Sequence, residues 1–188
     1  MPISQPIPER EKIYFRRVEY TGYRRDDALW DVEARFRDMR MYDFPCVDRG
    51  GTIPAGEVFH DIMLRLTFDD DLVVRGLETS IDAFPYKQCP FASVVFKNVK
   101  GLKIGKGFSK ELRRRIPAEK GCAHLFSLLV GAAGAAFQTA VQIRMMKYCR
   151  GVTPDPLDGC LAWDSSGEMV KQQWPDFYRE KENDPETE

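Results

Sequence analysis

Four side chains in this sequence could bind a metal ion and stand at the ends of predicted helices or strands. They are His60, Cys89, Cys122 and His124. Thiolate and imidazole groups bind zinc and iron, and two of each can complete a tetrahedral site. The spacing is not that of a zinc finger or ribbon, because no C-x-x-C pair occurs among the five cysteines. The residue types therefore predict a zinc or iron site whose ligands are distant in sequence.

The same residues support two other interpretations. Cysteines often fill protein cores as small apolar side chains, and the histidines would then be ordinary loop residues. Alternatively, Cys122 and His124 form a nucleophilic dyad, although side chains at positions i and i+2 of a helix do not face each other. Such a dyad requires residues 121–124 to be extended, and either Cys122 or Cys89 could instead pair with His60. The sequence leaves these alternatives open.

Alternating apolar and charged residues predict the strands that position these side chains. Residues 30–37 alternate as a half-buried strand does, and residues 20–27 are expected to turn the chain back from a strand at 13–20. Residues 61–82 form a second predicted hairpin, with its turn at residues 69–71. The two hairpins together predict an antiparallel sheet.

Helical segments are predicted after the second hairpin. The proline that follows Cys89 suits the first turn of a helix, and residues 108–116 and 122–149 are expected to form a short and a long helix. Cys122 and His124 begin the long helix. Unpaired N–H groups at a helix start favour a thiolate, which makes such cysteines better metal ligands.

These elements predict a single α+β domain over residues 1–150, in which an antiparallel sheet of two hairpins packs against helices. Residues 151–178 are rich in turns and aromatic side chains, and we expect them to pack on the domain as an irregular extension. Residues 179–188 are charged and are expected to be a disordered tail.

Length and composition narrow the class of protein. The chain has 188 residues, of which 43% are hydrophobic, and a net charge of −1. This balance gives no argument for nucleic acid or an anionic membrane as a partner. The apolar run at residues 125–136 is too short to span a bilayer, and no signal peptide is apparent at the N-terminus. We therefore expect a cytoplasmic protein with reduced cysteines that acts on a small molecule; composition does not predict its oligomeric state.

Two further features could serve the predicted site. Asp82 lies seven residues before Cys89 and could orient a ligand or act as a general base, although such aspartates more often cap turns. Aromatic residues near the candidate ligands could wall a pocket for an apolar or aromatic substrate, or could simply belong to the core. They are Tyr42, Phe44, Phe59, Phe84, Tyr86 and Phe91.

A string of motifs carries a family resemblance over residues 10–165. The motifs are GYRRDDALWDVEARFRD, YDFP, DRGG, AGEVFHDIMLRLTFDDDLVV, CP, GCAHL and AFQTA. They resemble a bacterial domain-of-unknown-function family, DUF2889. That family name implies no activity, so the resemblance adds no chemistry to the residues themselves.

The order of elements is also similar to that of iron–sulfur scaffold proteins of the IscU/NifU type. In that comparison His60 and Cys89 occupy two ligand positions, and Cys122 and His124 correspond to an adjacent His–Cys pair, reversed and spaced by one residue. The resemblance implies an IscU-like core in which these four residues form one site. Such scaffolds use three cysteines, whereas this chain offers two cysteines and two histidines, so mononuclear zinc or iron is expected rather than a labile cluster.

The leading functional expectation is a zinc- or iron-dependent enzyme acting on a small organic molecule, with aromatic compounds among the candidates. A lyase or hydrolase is expected, because no nucleotide or redox-cofactor motif occurs. Either His60 or His124 would be released from the metal ion to act as a base, and Asp82 is a further candidate for that base. The alternatives are a non-catalytic metal-carrying or structural-metal protein related to iron–sulfur scaffolds, and a metal-free binding module.

Overall fold

A computed structural model describes residues 8–149 and 151–180 of the chain. The contacts divide the chain into two compact units, Met1–Thr139 and Ala140–Glu188, called here the N-terminal and C-terminal units. From the sequence, the C-terminal extension was expected to begin later, at residue 151. Most of the predicted disordered tail lies outside the described residues.

The N-terminal unit is built on a four-stranded antiparallel sheet with strand order β1-β2-β5-β6. Its strands are β1 (Tyr14–Arg24), β2 (Trp30–Arg40), β5 (Val58–Phe68) and β6 (Val74–Ala83). The chain segment that connects β2 to β5 contains two short strands, β3 (Phe44–Cys46) and β4 (Gly51–Ile53). They form a separate two-stranded sheet. With the helices described below, this architecture confirms the predicted α+β class.

The two faces of the four-stranded sheet differ in chemistry because side chains alternate along each strand. One face, called here the covered face, carries the buried apolar residues of β2 and β5 and packs against helix α2 (Ala123–Thr139). These residues are Trp30, Val32, Ala34, Phe36, Ile62, Leu64, Leu66 and Phe68. The opposite face, called the open face, carries charged residues in ion pairs, including Arg65 with Glu33 and Glu78.

The first hairpin turns later than the sequence predicts. Strand β1 continues through residues 20–24 and pairs with β2 up to Arg24 opposite Trp30. Gly22 therefore lies within the strand, where a Cβ atom would come within 2.0 Å of the Thr139 hydroxyl. Glycine serves here to let α2 approach the sheet closely, not to make the turn. The second hairpin, with its turn between Phe68 and Val74, confirms the prediction.

The helical part of the N-terminal unit follows the sheet. Cys89–Val99 forms a 3₁₀ segment, α1 spans Phe108–Arg115, and α2 ends at Thr139. The predicted long helix is thus divided, since a new helix, α3 (Val141–Tyr148), begins only after Ala140. The Thr139 hydroxyl donates a 2.8 Å hydrogen bond to the Ala135 carbonyl, an interaction that competes with regular helix geometry.

The C-terminal unit contains α3 and a short helix, α4 (Glu168–Gln173). Its core is formed by Tyr148, Val170 and Trp174, with the ring of Trp163 stacked on Trp174 at 4.2 Å between centroids. Leu161, in the same segment, is 92% exposed.

Within the described part of the chain, no single helix is long and apolar enough to cross a membrane. The consecutive helices α2 and α3 pass the same test of length and composition only when they are taken together.

Candidate functional site

Three polar side chains converge on the covered face near one end of the sheet. Asp38, His60 and His124 each offer one ligand atom, and these atoms lie within 4.8 Å of one another. Asp38 and His60 are 3% and 7% exposed, and His124 is partly buried. The centroids of the two imidazole rings are 4.2 Å apart. Two imidazoles and a carboxylate this close together constitute a potential metal site.

Strand pairing and a bulge place the first two residues together. Asp38 near the end of β2 is directly opposite His60 near the start of β5 in the antiparallel register. The next pair is Met39 with Val58, so Phe59 is an extra residue that forms a β-bulge. Bulges redirect neighbouring side chains, and here Phe59 is buried with Cys46 and Ile53. His124 joins the pair from above the sheet as the second residue of α2.

Hydrogen bonds determine the orientation of the His60 ring. His60 Nδ1 lies 2.9 Å from Asp38 Oδ1, and the His60 amide donates to the same oxygen at 3.1 Å. The Tyr14 hydroxyl donates to Asp38 Oδ2 at 2.7 Å, and Arg16 Nη2 lies 3.5 Å from that oxygen. Because an ionised carboxylate only accepts hydrogen bonds, Nδ1 of a neutral His60 carries the proton. Its Nε2 then has a free lone pair for a metal ion or a proton.

The protonation states favour ligation. Burial raises the pKa of Asp38, but hydrogen bonds from His60 and Tyr14 and the nearby positive charges outweigh it, so the pKa lies below its ordinary value. Burial lowers the pKa of His124, the neighbouring His60 and Arg16 lower it further, and Asp38 opposes them. At neutral pH the site therefore holds a carboxylate and a neutral His124 imidazole, which are the forms that bind metal ions.

Aromatic rings and arginines surround the histidines. Phe36 lies 5.2 Å from His124, and Phe59 lies 5.0 Å from His60, between ring centroids. The Arg16 guanidinium lies 4.5 Å from the Phe36 centroid, and that of Arg40 lies 4.5 Å from the centroid of Phe59. The site therefore combines apolar ring surfaces with two cationic groups.

The structure brings together the two histidines of the four predicted ligands. Among the described residues, the group of ligand atoms contains neither Cys89 nor Cys122. Burial raises the pKa of the Cys89 thiol, and the nearby Cys122 raises it further. The two histidines thus lie with Asp38, in a group of ligand atoms that does not include the two cysteines.

Asp82, the third candidate catalytic residue, is exposed on β6 and accepts a hydrogen bond from Ser80. It does not belong to the group around the histidines. Asp38 and Tyr14, by contrast, were not among the site residues predicted from the sequence. A signal for Asp38 was present, because it continues the alternating series that ends with Ala34 and Phe36 and so occupies a core-facing position. A carboxylate at such a position requires a buried partner.

Comparison with known proteins assigns the N-terminal unit to a family. A family model described as "Protein of unknown function (DUF2889)" matches residues 14–138, from β1 to the end of α2. The matched region contains every residue of the Asp38–His60–His124 group. Comparisons with curated proteins and with solved structures found no match, so the resemblance to iron–sulfur scaffolds gains no support from them.

Proposed function

The chain belongs to the DUF2889 family, whose description assigns no activity, and from its geometry we propose that it is a zinc- or iron-dependent enzyme acting on a small organic molecule. The observation that carries the proposal is the buried group of Asp38, His60 and His124. Buried polar clusters with shifted pKa values are common where proteins bind metals or perform catalysis.

The donor set fits a divalent ion. Ligand atoms bound to one zinc ion at about 2.0–2.2 Å lie within about 4.4 Å of one another. The observed limit of 4.8 Å therefore requires only small side-chain movements. Two histidines and one carboxylate leave further coordination positions open for a substrate, as in catalytic rather than structural sites.

The protein residues have separable roles in this proposal. A bound divalent ion would supply Lewis acidity for a carbonyl, hydroxyl or water oxygen. In the metal-free structure Asp38 lies 2.9 Å from His60 Nδ1 and fixes the orientation of the ring. Binding of the ion by Asp38 would replace this hydrogen bond. Tyr14 is 41% exposed, and its hydroxyl donates a hydrogen bond to Asp38. This hydroxyl can pass a proton between the carboxylate and the surface.

The surroundings of the group favour a flat, apolar substrate. The rings of Phe36 and Phe59 contact the two imidazoles, and Arg16 stacks on Phe36 with a side chain that is 44% exposed. Hydrolysis or elimination on a small aromatic compound suits apolar walls with a Lewis acid and a proton carrier.

A second candidate function follows from the 2.9 Å contact between Asp38 and His60. A carboxylate-oriented imidazole can act as a general base without any metal. In that case His124 would be a neutral neighbour rather than a ligand.

The test is the metal content and activity of tag-free protein. We expect close to one zinc or iron per chain by elemental mass spectrometry, and metal-dependent hydrolysis of 4-nitrophenyl acetate as a probe of Lewis-acid chemistry. His60→Gln and His124→Gln should lose both properties while keeping the circular dichroism of the parent. Asp61→Asn is the matched control, because Asp61 is also a buried carboxylate of this sheet but lies on the open face.

Each other outcome favours a different function. Metal binding without hydrolysis would favour a metal-carrying protein, and hydrolysis without metal would favour the Asp38–His60 base. The double variant Cys89→Ser/Cys122→Ser distinguishes the ligand sets. Loss of metal in that variant would restore the four-residue set expected from the sequence, and retention would leave the two histidines and Asp38 as ligands.

A further inference from the structure

A cavity of about 460 Å³ lies between α1 and the start of α2 in the N-terminal unit. On α2 it is lined by four residues with the i, i+3, i+4, i+7 spacing of a single helix face. They are Ala123, Phe126, Ser127 and Val130. Asp38, His60 and His124 are not among the lining residues, so the cavity is separate from the histidine site. Its volume is in the range of small-molecule binding sites.

The walls of the cavity are mainly apolar, with a few polar groups. Ile116, Phe126 and Val130 supply aliphatic and aromatic surface, while Ser109 and Ser127 add hydroxyl groups. A few polar groups in an apolar cavity are typical of sites that orient a ligand with one polar end.

One cation in the wall, Arg113, has no acidic partner in the part of the chain that the structure describes. Helix α1 ends with three consecutive arginines, of which Arg114 and Arg115 pair with Glu111. Arg113 has no carboxylate partner within residues 8–149 and 151–180, and its guanidinium lies 4.7 Å from the centroid of Phe126. Arg113 is therefore available to an anion that enters the cavity.

We propose that this cavity binds a small amphipathic carboxylate, with its apolar body against Phe126 and Val130 and its carboxylate on Arg113. An uncharged apolar ligand would make no use of the Arg113 guanidinium, which is exposed to solvent. A strongly hydrated inorganic anion would gain nothing from the apolar walls. A planar guanidinium matches a carboxylate in charge and geometry.

The test uses 4-phenylbutyrate as the probe and isothermal titration calorimetry as the measurement. 4-Phenyl-1-butanol has the same apolar body without the charge and should bind at least about tenfold more weakly. Arg113→Gln should weaken 4-phenylbutyrate binding by at least about tenfold. Arg114→Gln removes the same charge from the next residue, which does not line the cavity, and should change the affinity by less than about twofold.

Two further measurements locate the bound probe. Ser127→Trp should fill the cavity and abolish binding, whereas Gln138→Trp, at an exposed α2 position outside the lining, should not. Bound 4-phenylbutyrate should also slow alkylation of Cys122, which lines the cavity, without protecting the exposed Cys160. Peptide mass spectrometry after iodoacetamide treatment measures the extent of alkylation of both cysteines in one sample.

Three results would overturn the proposal: no binding of 4-phenylbutyrate at millimolar concentration, equal losses in Arg113→Gln and Arg114→Gln, or unchanged binding in Ser127→Trp. Asp38→Asn separates this site from the histidine site. That variant should lose metal and retain 4-phenylbutyrate binding, because Asp38 does not line the cavity.

Discussion

Two buried carboxylates on opposite faces of the same sheet have different kinds of partner. Asp61 on the open face binds Arg35 through a 2.7 Å ion pair and lies 3.1 Å from Arg37. Asp38 on the covered face binds the Tyr14 hydroxyl and the His60 ring and amide, with Arg16 only at 3.5 Å. The open-face carboxylate is paired with two arginines, whereas the covered-face carboxylate is held by a tyrosine hydroxyl and a histidine, with its arginine at a longer distance.

We interpret this difference as that between a structural ion-pair network and the metal site proposed above. Arg35 and Arg37 are 40% and 44% exposed, so water can replace Asp61 as their partner. The donors around Asp38 lie in or beside the core, and its negative charge remains available to a cation at the histidines. Burial of an ionised carboxylate is energetically unfavourable. A charged group that is nevertheless retained in a core is therefore more informative about function than an exposed ion-pair network.

The largest expected effect is on the stability of the metal-free protein. Asp38→Ala should lower the free energy of unfolding by about 3 kcal/mol, because the buried His60 ring and amide lose their acceptor and the hydrogen bond from Tyr14 is also lost. Asp61→Ala should cost about 1 kcal/mol, since its partners are partly exposed. Urea titrations in the presence of EDTA, followed by circular dichroism, measure both. Equal losses would remove the distinction between the two faces.

Metal binding should stabilise the protein through the covered face alone. At a free zinc concentration of a hundred times the dissociation constant, we expect about 2.7 kcal/mol of added stability. Asp61→Asn should retain this gain, and His60→Gln should lose it. Urea titrations with and without zinc measure the difference. A gain that persists in His60→Gln would place the metal elsewhere.

A smaller effect is expected on the pH dependence of stability in the metal-free protein, which should differ between groups on the two faces of the sheet. The pKa of His124 is lowered from 6.5, chiefly by burial, so the unfolded chain takes up this proton first as pH falls. The stability contributed by neutral His124 is therefore complete above pH 6.5 and is lost progressively as pH falls from there towards the lowered pKa.

The hydrogen bond from Arg35 lowers the pKa of Asp61 from 3.8, so its contribution is lost only at more acidic pH. Urea titrations between pH 8 and pH 5 should show a decline in the parent that His124→Gln flattens and Asp61→Asn does not. A decline that is unchanged in His124→Gln would contradict this assignment.

The smallest expected effect contrasts the two sides of α2. A Cβ on Gly134 would meet nothing within 4 Å, so Gly134→Ala should raise the free energy of unfolding by about 0.5–1 kcal/mol through helix propensity. A Cβ on Gly131 would lie 2.0 Å from the Tyr20 hydroxyl of β1, so Gly131→Ala should show no such gain. Thermal unfolding of the two variants tests how closely α2 packs on the covered face.

Sequence periodicity predicted the sheet well, because burial of one face requires alternation of apolar and polar residues. It predicted strand β2 and the hairpin of β5 and β6, but placed the first turn at a glycine that serves helix packing. It also treated residues 122–149 as one helix, since apolar content alone does not reveal the break at Ala140.

The candidate site was predictable only in part. His60 and His124 were predicted as ligands from their residue type, but cysteines were predicted as the remaining ligands. Asp38 was present in the alternating pattern of β2 as a charged residue on the apolar face. Its pairing with His60 depends on the register of β2 with β5 and on the bulge at Phe59, which join residues 22 positions apart.

By itself, the sequence determined which residue types could do chemistry and which face of each strand would be buried, because these follow from side-chain character and local periodicity. The tertiary structure alone decided which of those residues meet. Near the start of α2, His124 lies against the sheet beside His60, whereas Cys122 lines the cavity that Arg113 also faces. Side chains two positions apart along this segment point in different directions, so one short stretch contributes both to the proposed metal site and to the cavity proposed to bind a carboxylate.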